Sequence, residues 1–238
     1  MNREEAALYL IPVPLGEEAP IATASPRVIE VVHTIEVFVA ERIRTARRHI
    51  RKMVPEKEMG ILRFFELNKH TDETQIEGFL SPITRGKSLG LLAESGAPAI
   101  ADPGAKLIDS AHRKGIRVIP LAGPSAILLA LMASGMNGQK FTFNGYLPIH
   151  ERERTQALRI LEARSSQKHT TEIFIETPFR NVALFEAILR NCKPATRLCI
   201  ASDISLPTEQ IQTLPISEWR KNRPNLHRRP SVFCLYST

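Results

Sequence analysis

Four short segments place glycine or proline directly after apolar runs that are typical of β-strands. They cover residues 12–16, 94–98, 122–126 and 176–178. Proline fixes φ, and glycine lets the backbone approach another group closely, so such turns present rigid main-chain donors and acceptors. Ligands of open parallel sheets bind at the carboxyl ends of strands. The pattern predicts a small-molecule site built largely from main-chain atoms, although each turn taken singly also fits an ordinary strand-to-helix connection.

Several well-known nucleotide and hydrolase motifs are missing. No G-x-G-x-x-G follows the first apolar run, and Pro82 interrupts the loop in which Gly86-Lys87-Ser88 would end a P-loop. The seven histidines show no H-E-x-x-H spacing, no serine stands in G-x-S-x-G, and the three cysteines form no C-x-x-C pair. We therefore expect no metal site, no disulfide framework and no nucleophile-elbow chemistry.

Positive charge is concentrated on one predicted helix. The chain has 32 Lys and Arg against 25 Asp and Glu, a net charge of +7, which favours an anionic partner such as nucleic acid. Five cations with helical spacing share one face and form what we call the cationic stripe: Arg44, Arg47, Arg48, Arg51 and Lys52. The stripe predicts phosphate contacts, with a merely solvated face as the alternative. A second basic cluster covers residues 220–223 and 227–229.

Apolar runs alternate with helical patterns along the chain, which predicts an α/β fold with two α/β domains. In the first half the predicted strands cover residues 8–11, 35–40, 61–67, 89–93 and 118–121. In the second half they cover residues 141–143, 172–175, 198–201, 210–213 and 232–236, with shorter connections that favour mixed or antiparallel pairing. We place the N-terminal domain at residues 1–119 and the C-terminal domain at residues 120–238.

One stretch without charges, residues 118–139, is long enough to suggest a membrane span. Pro120, Gly123 and Pro124 interrupt it, and the helix that remains is too short to cross a bilayer. We expect a buried core helix with Leu128, Leu129, Leu131 and Met132 in the core. The cysteine usage and the absence of a signal-peptide pattern in the first ten residues predict a cytoplasmic location.

Five segments carry a resemblance to a known family. They are YLIPVPLG at 9–16, ESGAPAIADPG at 94–104, IPLAGPSA at 119–126, NGYLP at 144–148 and IETPFR at 175–180. In this order they resemble the tetrapyrrole methylase superfamily, and more closely its branch that methylates a cytidine ribose 2′-hydroxyl in small-subunit ribosomal RNA. The second segment is the most specific and is similar to the family's D-A-G-T-P-L-I-S-D-P-G. The last is similar to Y-E-S-P-H-R.

The resemblance implies a homodimer in which S-adenosylmethionine lies in a cleft between two α/β domains. It implies cofactor contacts at seven positions: Pro14, Gly96, Ala97, Ile100, Ser125, Ala126 and Glu176. On the substrate side it implies Glu41, Arg44, Asn68 and His70, to which the cationic stripe adds Arg47 and Arg48. We expect His70 or Glu94 to accept the 2′-hydroxyl proton, with a loop-orienting role for both as the alternative.

The departures from the family fall mainly on the substrate side. Where the family has A-E-D-T-R-H-T, residues 40–46 lose an aspartate and two threonines but keep Glu41 and Arg44. Residues 67–71 read LNKHT against L-N-E-H-N, and residues 202–206 read SDISL against R-E-L-T-K. Three functions therefore stay open: methylation of ribosomal RNA, methylation of a tetrapyrrole or another small anionic substrate, and cofactor binding without turnover.

Overall fold

Strands form two separate five-stranded sheets in the computed structural model, which describes residues 6–19 and 24–238. The contacts divide the chain into one unit of residues 1–125 and another of residues 126–238, whereas the boundary expected from the sequence lies between residues 119 and 120. Residues 1–5, on which the expectation about a signal peptide partly rests, lie outside the described residues. In the described part of the chain, no helix combines the length and the apolar character that crossing a bilayer requires.

The first unit contains a fully parallel sheet of order β3-β2-β4-β1-β5. Its strands are β1 (Leu8–Ile11), β2 (Val37–Ala40), β3 (Arg63–Glu66), β4 (Leu89–Leu92) and β5 (Val118–Pro120). Its helices are α1 (Pro26–Thr34), α2 (Ile43–Met53), α3 (Glu73–Phe79), α4 (Ser81–Thr84) and α5 (Gly104–Arg113). Because β1, β2 and β4 are apolar and largely buried along their lengths, this sheet requires cover on both faces.

Two apolar clusters provide that cover. On one face, Tyr9, Phe38 and Leu92 pack with the buried sides of α1 and α2. On the other, Leu8 and Val39 pack with residues of α3, α4 and α5. The expectation of a parallel sheet between helices is confirmed, and it leaves the carboxyl ends of the strands as the edge where loops meet.

The second unit contains a mixed sheet of order β6-β7-β10-β8-β9. Its strands are β6 (Phe141–Tyr146), β7 (Thr171–Ile175), β8 (Arg197–Ser202), β9 (Gln210–Pro215) and β10 (Ser231–Tyr236). Its helices are α6 (Ala126–Ser134), α7 (Glu151–Lys168), α8 (Asn181–Asn191) and α9 (Ile216–Trp219). Among the described strand pairs of this second sheet, only β6–β7 is parallel and the others are antiparallel. The expected mixed pairing is therefore confirmed.

The expectation that α6 is a buried core helix is wrong for half of the side chains predicted to be core. Leu131 is buried, Leu129 is partly buried, and Leu128 and Met132 are 49% and 78% exposed. The helix packs on the sheet through the side that holds Ala130 and Leu131, where Ser134 O also accepts a hydrogen bond from Thr213 Oγ1 at 2.9 Å. A helix that is apolar all round but has the sheet on one side only exposes its other side.

Candidate functional site

Three of the predicted turns lie against one another in the first unit. The turns after β1 and β4 exchange two backbone hydrogen bonds, from Val13 N–H to Gly96 O at 2.9 Å and from Gly96 N–H to Val13 O at 3.1 Å. Ser95 Oγ donates to Leu15 O at 2.9 Å. The turns after β1 and β4 therefore meet at the carboxyl edge of the sheet.

Two glycines allow the third turn, after β5, to join them. A Cβ on Gly96, whose φ is +70°, would lie 2.9 Å from Leu15 Cδ2 and 3.2 Å from Pro124 O. A Cβ on Gly123 would lie 2.3 Å from Pro12 Cγ. The Pro12 ring leaves no room for a Cβ at Gly123, and the left-handed backbone of Gly96 together with its close neighbours favours glycine there. A side chain on Gly96 would meet these neighbouring turns and displace them.

The loop between β4 and α5 is held in shape by Asp102. Its carboxylate accepts hydrogen bonds from Ala99 N–H at 2.9 Å and from Gly104 N–H at 2.7 Å. Ala99 and Ala101 have φ of 65° and 61°, a conformation that costs free energy for residues other than glycine and is held here by these bonds. Burial raises the pKa of Asp102, and the backbone hydrogen bonds oppose that shift. The loop leaves Ile100 47% exposed and Ala97 partly buried.

Carboxylates from two neighbouring strands meet at the same edge. Glu41 follows β2, and Glu94 follows β4, where its Oε1 accepts the Arg42 N–H at 3.1 Å. The pKa of Glu41 is raised, first by burial and then by the negative charge of Glu94. A carboxyl group with a raised pKa beside a second carboxylate is a common feature of sites that bind cations or move protons.

His49 belongs to this cluster and was missed by the sequence reasoning. It is buried on α2, and its Nε2 lies 3.0 Å from Glu94 O, which links the helix to the β4 turn. Burial lowers the pKa of His49, so the neutral ring is favoured. The signal was present in the sequence, because position 49 falls on the apolar side of the helix that also carries Ala46 and Met53.

The cationic stripe separates into residues with different partners. Arg48 pairs with Glu17, and Lys52 Nζ donates to Glu17 O at 2.6 Å and to Ala19 O at 2.8 Å, so both hold the loop after β1. The guanidinium of Arg47 lies 5.1 Å from the centre of the Phe64 ring. Arg44 and Arg51 are exposed at opposite ends of α2. The five cations of the stripe therefore differ in their contacts within the chain, and phosphate binding by the stripe stays a prediction.

Asn68 and His70 lie together in the loop after the edge strand β3. Asn68 Oδ1 accepts the His70 N–H at 2.9 Å, and Asn68 N–H donates to Thr71 Oγ1 at 3.0 Å. His70 is exposed and Asn68 is partly buried. These contacts shape the loop and leave the His70 ring accessible to a ligand.

Two of the expected cofactor contacts, Ala126 and Glu176, belong to the second unit. Glu176 follows β7 and is buried, and its Oε1 accepts hydrogen bonds from Arg180 Nη2 at 2.6 Å, Arg180 Nε at 3.0 Å and Thr177 N–H at 2.6 Å. Ala126 is partly buried at the start of α6. In the first unit, Pro14 is buried and Ser125 is partly buried in the β1 and β5 turns.

Comparisons with known proteins agree with this architecture. A family model described as tetrapyrrole (corrin/porphyrin) methylases matches residues 7–219. The ribosomal RNA small subunit methyltransferase I of Escherichia coli O157:H7 is 30% identical over 98% of this chain and 79% of its own length. The protein of that name from Vibrio cholerae serotype O1 is 28% identical over 89% of this chain and 69% of its own length.

Solved structures show the same fold. The methyltransferase CobJ superposes with a TM-score of 0.65 at 15% identity, covering 97% of this chain and 94% of its own. A cobalt precorrin-4 methyltransferase, CbiF, superposes with a TM-score of 0.63 at 12% identity, covering 99% of this chain and 97% of its own. The family resemblance and the fold class predicted from the sequence are both confirmed.

Proposed function

Because this chain belongs to the tetrapyrrole methylase family, we propose that it transfers a methyl group from S-adenosylmethionine to a ribose 2′-hydroxyl of small-subunit ribosomal RNA. The observation that carries the proposal is the packing of the β1, β4 and β5 turns around Gly96, combined with relatives whose name states ribosomal RNA methylation.

The composition of the turns fits this cofactor. Residues 12–16, 94–104 and 121–126 contain no lysine or arginine, which a pyrophosphate group would favour, but they include the carboxylates of Glu94 and Asp102. Exposed Ile100 and the neighbouring Ala97 offer apolar surface, and the left-handed backbone at Ala99 and Ala101 fixes the direction of main-chain groups. A ligand with a cationic sulfonium, a planar adenine ring and no phosphate suits such a site better than a phosphorylated one. We propose contacts at Pro14, Gly96, Ala97, Ile100 and Ser125, and in the second unit at Ala126 and Glu176.

When bound, S-adenosylmethionine supplies a reactive methyl group on sulfur. The protein then has to position the acceptor hydroxyl in line and take up its proton as the new C–O bond forms and the C–S bond breaks. Glu94 is a candidate for that proton, since its Oε1 accepts the Arg42 N–H and its Oε2 has no hydrogen-bond partner among the described residues. The other candidate is His70, which is exposed. Glu41, Arg44, Arg47, Arg48 and Asn68 stay predicted substrate contacts. Arg48 also pairs with Glu17 and so holds the loop after β1.

Binding of S-adenosylmethionine to a Gly96→Val variant tests the cofactor site. The dissociation constant should rise about tenfold or more, because the valine would strain a left-handed residue and displace Leu15 and Pro124. Gly60→Val is the matched control, since a Cβ there meets nothing within 4 Å. Calorimetry supplies the affinities, and circular dichroism shows that both variants are folded. Equal affinities in two folded variants would exclude the proposed site.

The acceptor is tested by transfer of a labelled methyl group to small ribosomal subunits that lack it. Label in a 2′-O-methylcytidine supports the proposal. Label transferred to an anionic tetrapyrrole and not to RNA would favour the small-substrate alternative, and cofactor binding with no transfer to either would favour a binding protein without turnover.

We also propose that the chain acts as a homodimer. Leu128 and Met132 lie four residues apart on the exposed side of α6, and apolar side chains so placed are a common component of subunit interfaces.

A further inference from the structure

An exposed aromatic ring lies in the same turn as Glu176, one of the two predicted cofactor contacts of the second unit. Phe179, in the turn between β7 and α8 that also holds Glu176, is 75% exposed. The guanidinium of Arg228 lies 5.8 Å from the centre of this ring, within the range of a cation–π contact. Arg228 covers the ring only partly, so the high exposure leaves aromatic surface free.

Backbone contacts hold the two residues in place. Arg228 N–H donates to Pro178 O at 3.2 Å, and Arg228 has a φ of 59°. The next residue, Arg229, is fixed by its Nε bond to Asp203 Oδ2 at 2.7 Å, and Asn181 Nδ2 donates to Arg229 O at 2.6 Å. A backbone that is fixed before binding has less conformational entropy to lose when a ligand binds beside it.

The structure separates Arg228 from the rest of the second basic cluster. Arg220 donates to Leu189 O, Lys221 pairs with Glu218, and Arg223 pairs with Glu186. Arg229 is engaged with Asp203. Arg228 is directed at an aromatic ring instead, and exposed His227 precedes it. A cluster that looks uniform in the sequence therefore contains one cation in a different arrangement.

We propose that Phe179 and Arg228 form a platform on which one unpaired nucleobase of the RNA substrate stacks. This inference rests on the proposed function and adds a subsite to it. Sequence-specific and single-stranded RNA recognition relies on bases stacked against aromatic rings and arginine planes, and a cation beside the ring also attracts the RNA backbone. A tetrapyrrole with several carboxylates would need several converging cations, whereas one ring with one guanidinium matches a single base.

The test uses a short single-stranded RNA that contains 2-aminopurine, a base whose fluorescence falls when it stacks, at one fixed salt concentration. Phe179→Ala should weaken binding roughly 5- to 100-fold, the range for the loss of one base–aromatic stack, and should abolish the quenching. Phe179→Trp should retain both. Arg228→Ala should weaken binding with partial loss of quenching. Phe141→Ala is the matched control, because Phe141 is 42% exposed at the opposite end of the same sheet.

The remaining outcomes separate this inference from the proposed function. Unchanged RNA affinity in folded Phe179→Ala, or an equal loss in Phe141→Ala, would overturn the platform while methyl transfer to ribosomal subunits could still occur. A wild-type protein that binds S-adenosylmethionine but binds an anionic tetrapyrrole in place of RNA overturns both the platform and the RNA acceptor. Calorimetry of each variant with S-adenosylmethionine should give the wild-type affinity, and a parallel loss would show general disruption of the β7 turn and count against the platform.

Discussion

Glu94 connects more parts of the first unit than its position in the sequence suggests. Its side chain accepts the Arg42 N–H, its carbonyl contacts His49, and its charge raises the pKa of Glu41. Glu94→Gln retains an oxygen for the Arg42 N–H but removes both the charge and the basicity. We expect the single-turnover methyl transfer rate to fall about 10²- to 10⁴-fold, the usual contribution of a general base. A full rate in Glu94→Gln together with a large loss in His70→Ala would assign the proton to His70.

Glu94→Gln should also change the titration of the neighbouring Glu41 carboxyl group. In the wild type, Glu41 takes up a proton at higher pH than an ordinary glutamate, because burial and the Glu94 charge both disfavour its charged form. Removing the Glu94 charge should therefore shift the titration of Glu41 to lower pH, which carbon NMR of the labelled carboxyl group measures. His70→Ala serves as the comparison and should leave that titration unchanged. A Glu41 titration that does not move in Glu94→Gln would contradict the coupling.

At the scale of the element, α2 combines structural and binding roles on one charged surface. Arg48 and Lys52 hold the Glu17 loop. Arg44 is exposed in the first turn of α2, which is the end of the helix nearest to the carboxyl edge of the sheet. Arg51 is also exposed but lies two turns further along, about 10 Å at 1.5 Å per residue.

We therefore expect Arg44→Ala to weaken RNA binding and to reduce the slope of log affinity against log salt by about 0.7 to 0.9, the effect of one lost phosphate contact. Arg51→Ala removes the same charge from the same helix and should leave the slope near its wild-type value. Fluorescence anisotropy over a series of salt concentrations measures both. Identical slopes for wild type and Arg44→Ala would show that Arg44 makes no phosphate contact and belongs to a merely solvated face.

At the scale of the whole molecule, the apolar surface of α6 bears on assembly. Met132→Glu places a charge on the exposed side of the helix, where a second copy would have to bury it, so we expect light scattering to give the monomer mass for this variant and the dimer mass for the wild type. Ile160→Glu is the control, because Ile160 is 54% exposed on α7 and is not part of the proposed interface. A monomeric wild type, or a dimeric Met132→Glu, would remove α6 from the interface.

The sequence alone was sufficient to predict the strands and the family. Strands such as β1 and β4 are short apolar runs bounded by turns, and the order of the glycine and proline segments carries the family resemblance, because both depend on neighbours along the chain. The spacing of α2 likewise predicted which cations share a face.

Only the tertiary structure decided what lies opposite each face. It paired Arg48 with Glu17, placed His49 against Glu94, left Met132 exposed and brought Arg228 onto Phe179. Each of these outcomes depends on residues far apart in the chain, or on which side of an element the rest of its unit covers. Periodicity fixes the direction of a side chain relative to its own helix or strand, but the partner in that direction is set by how the elements pack.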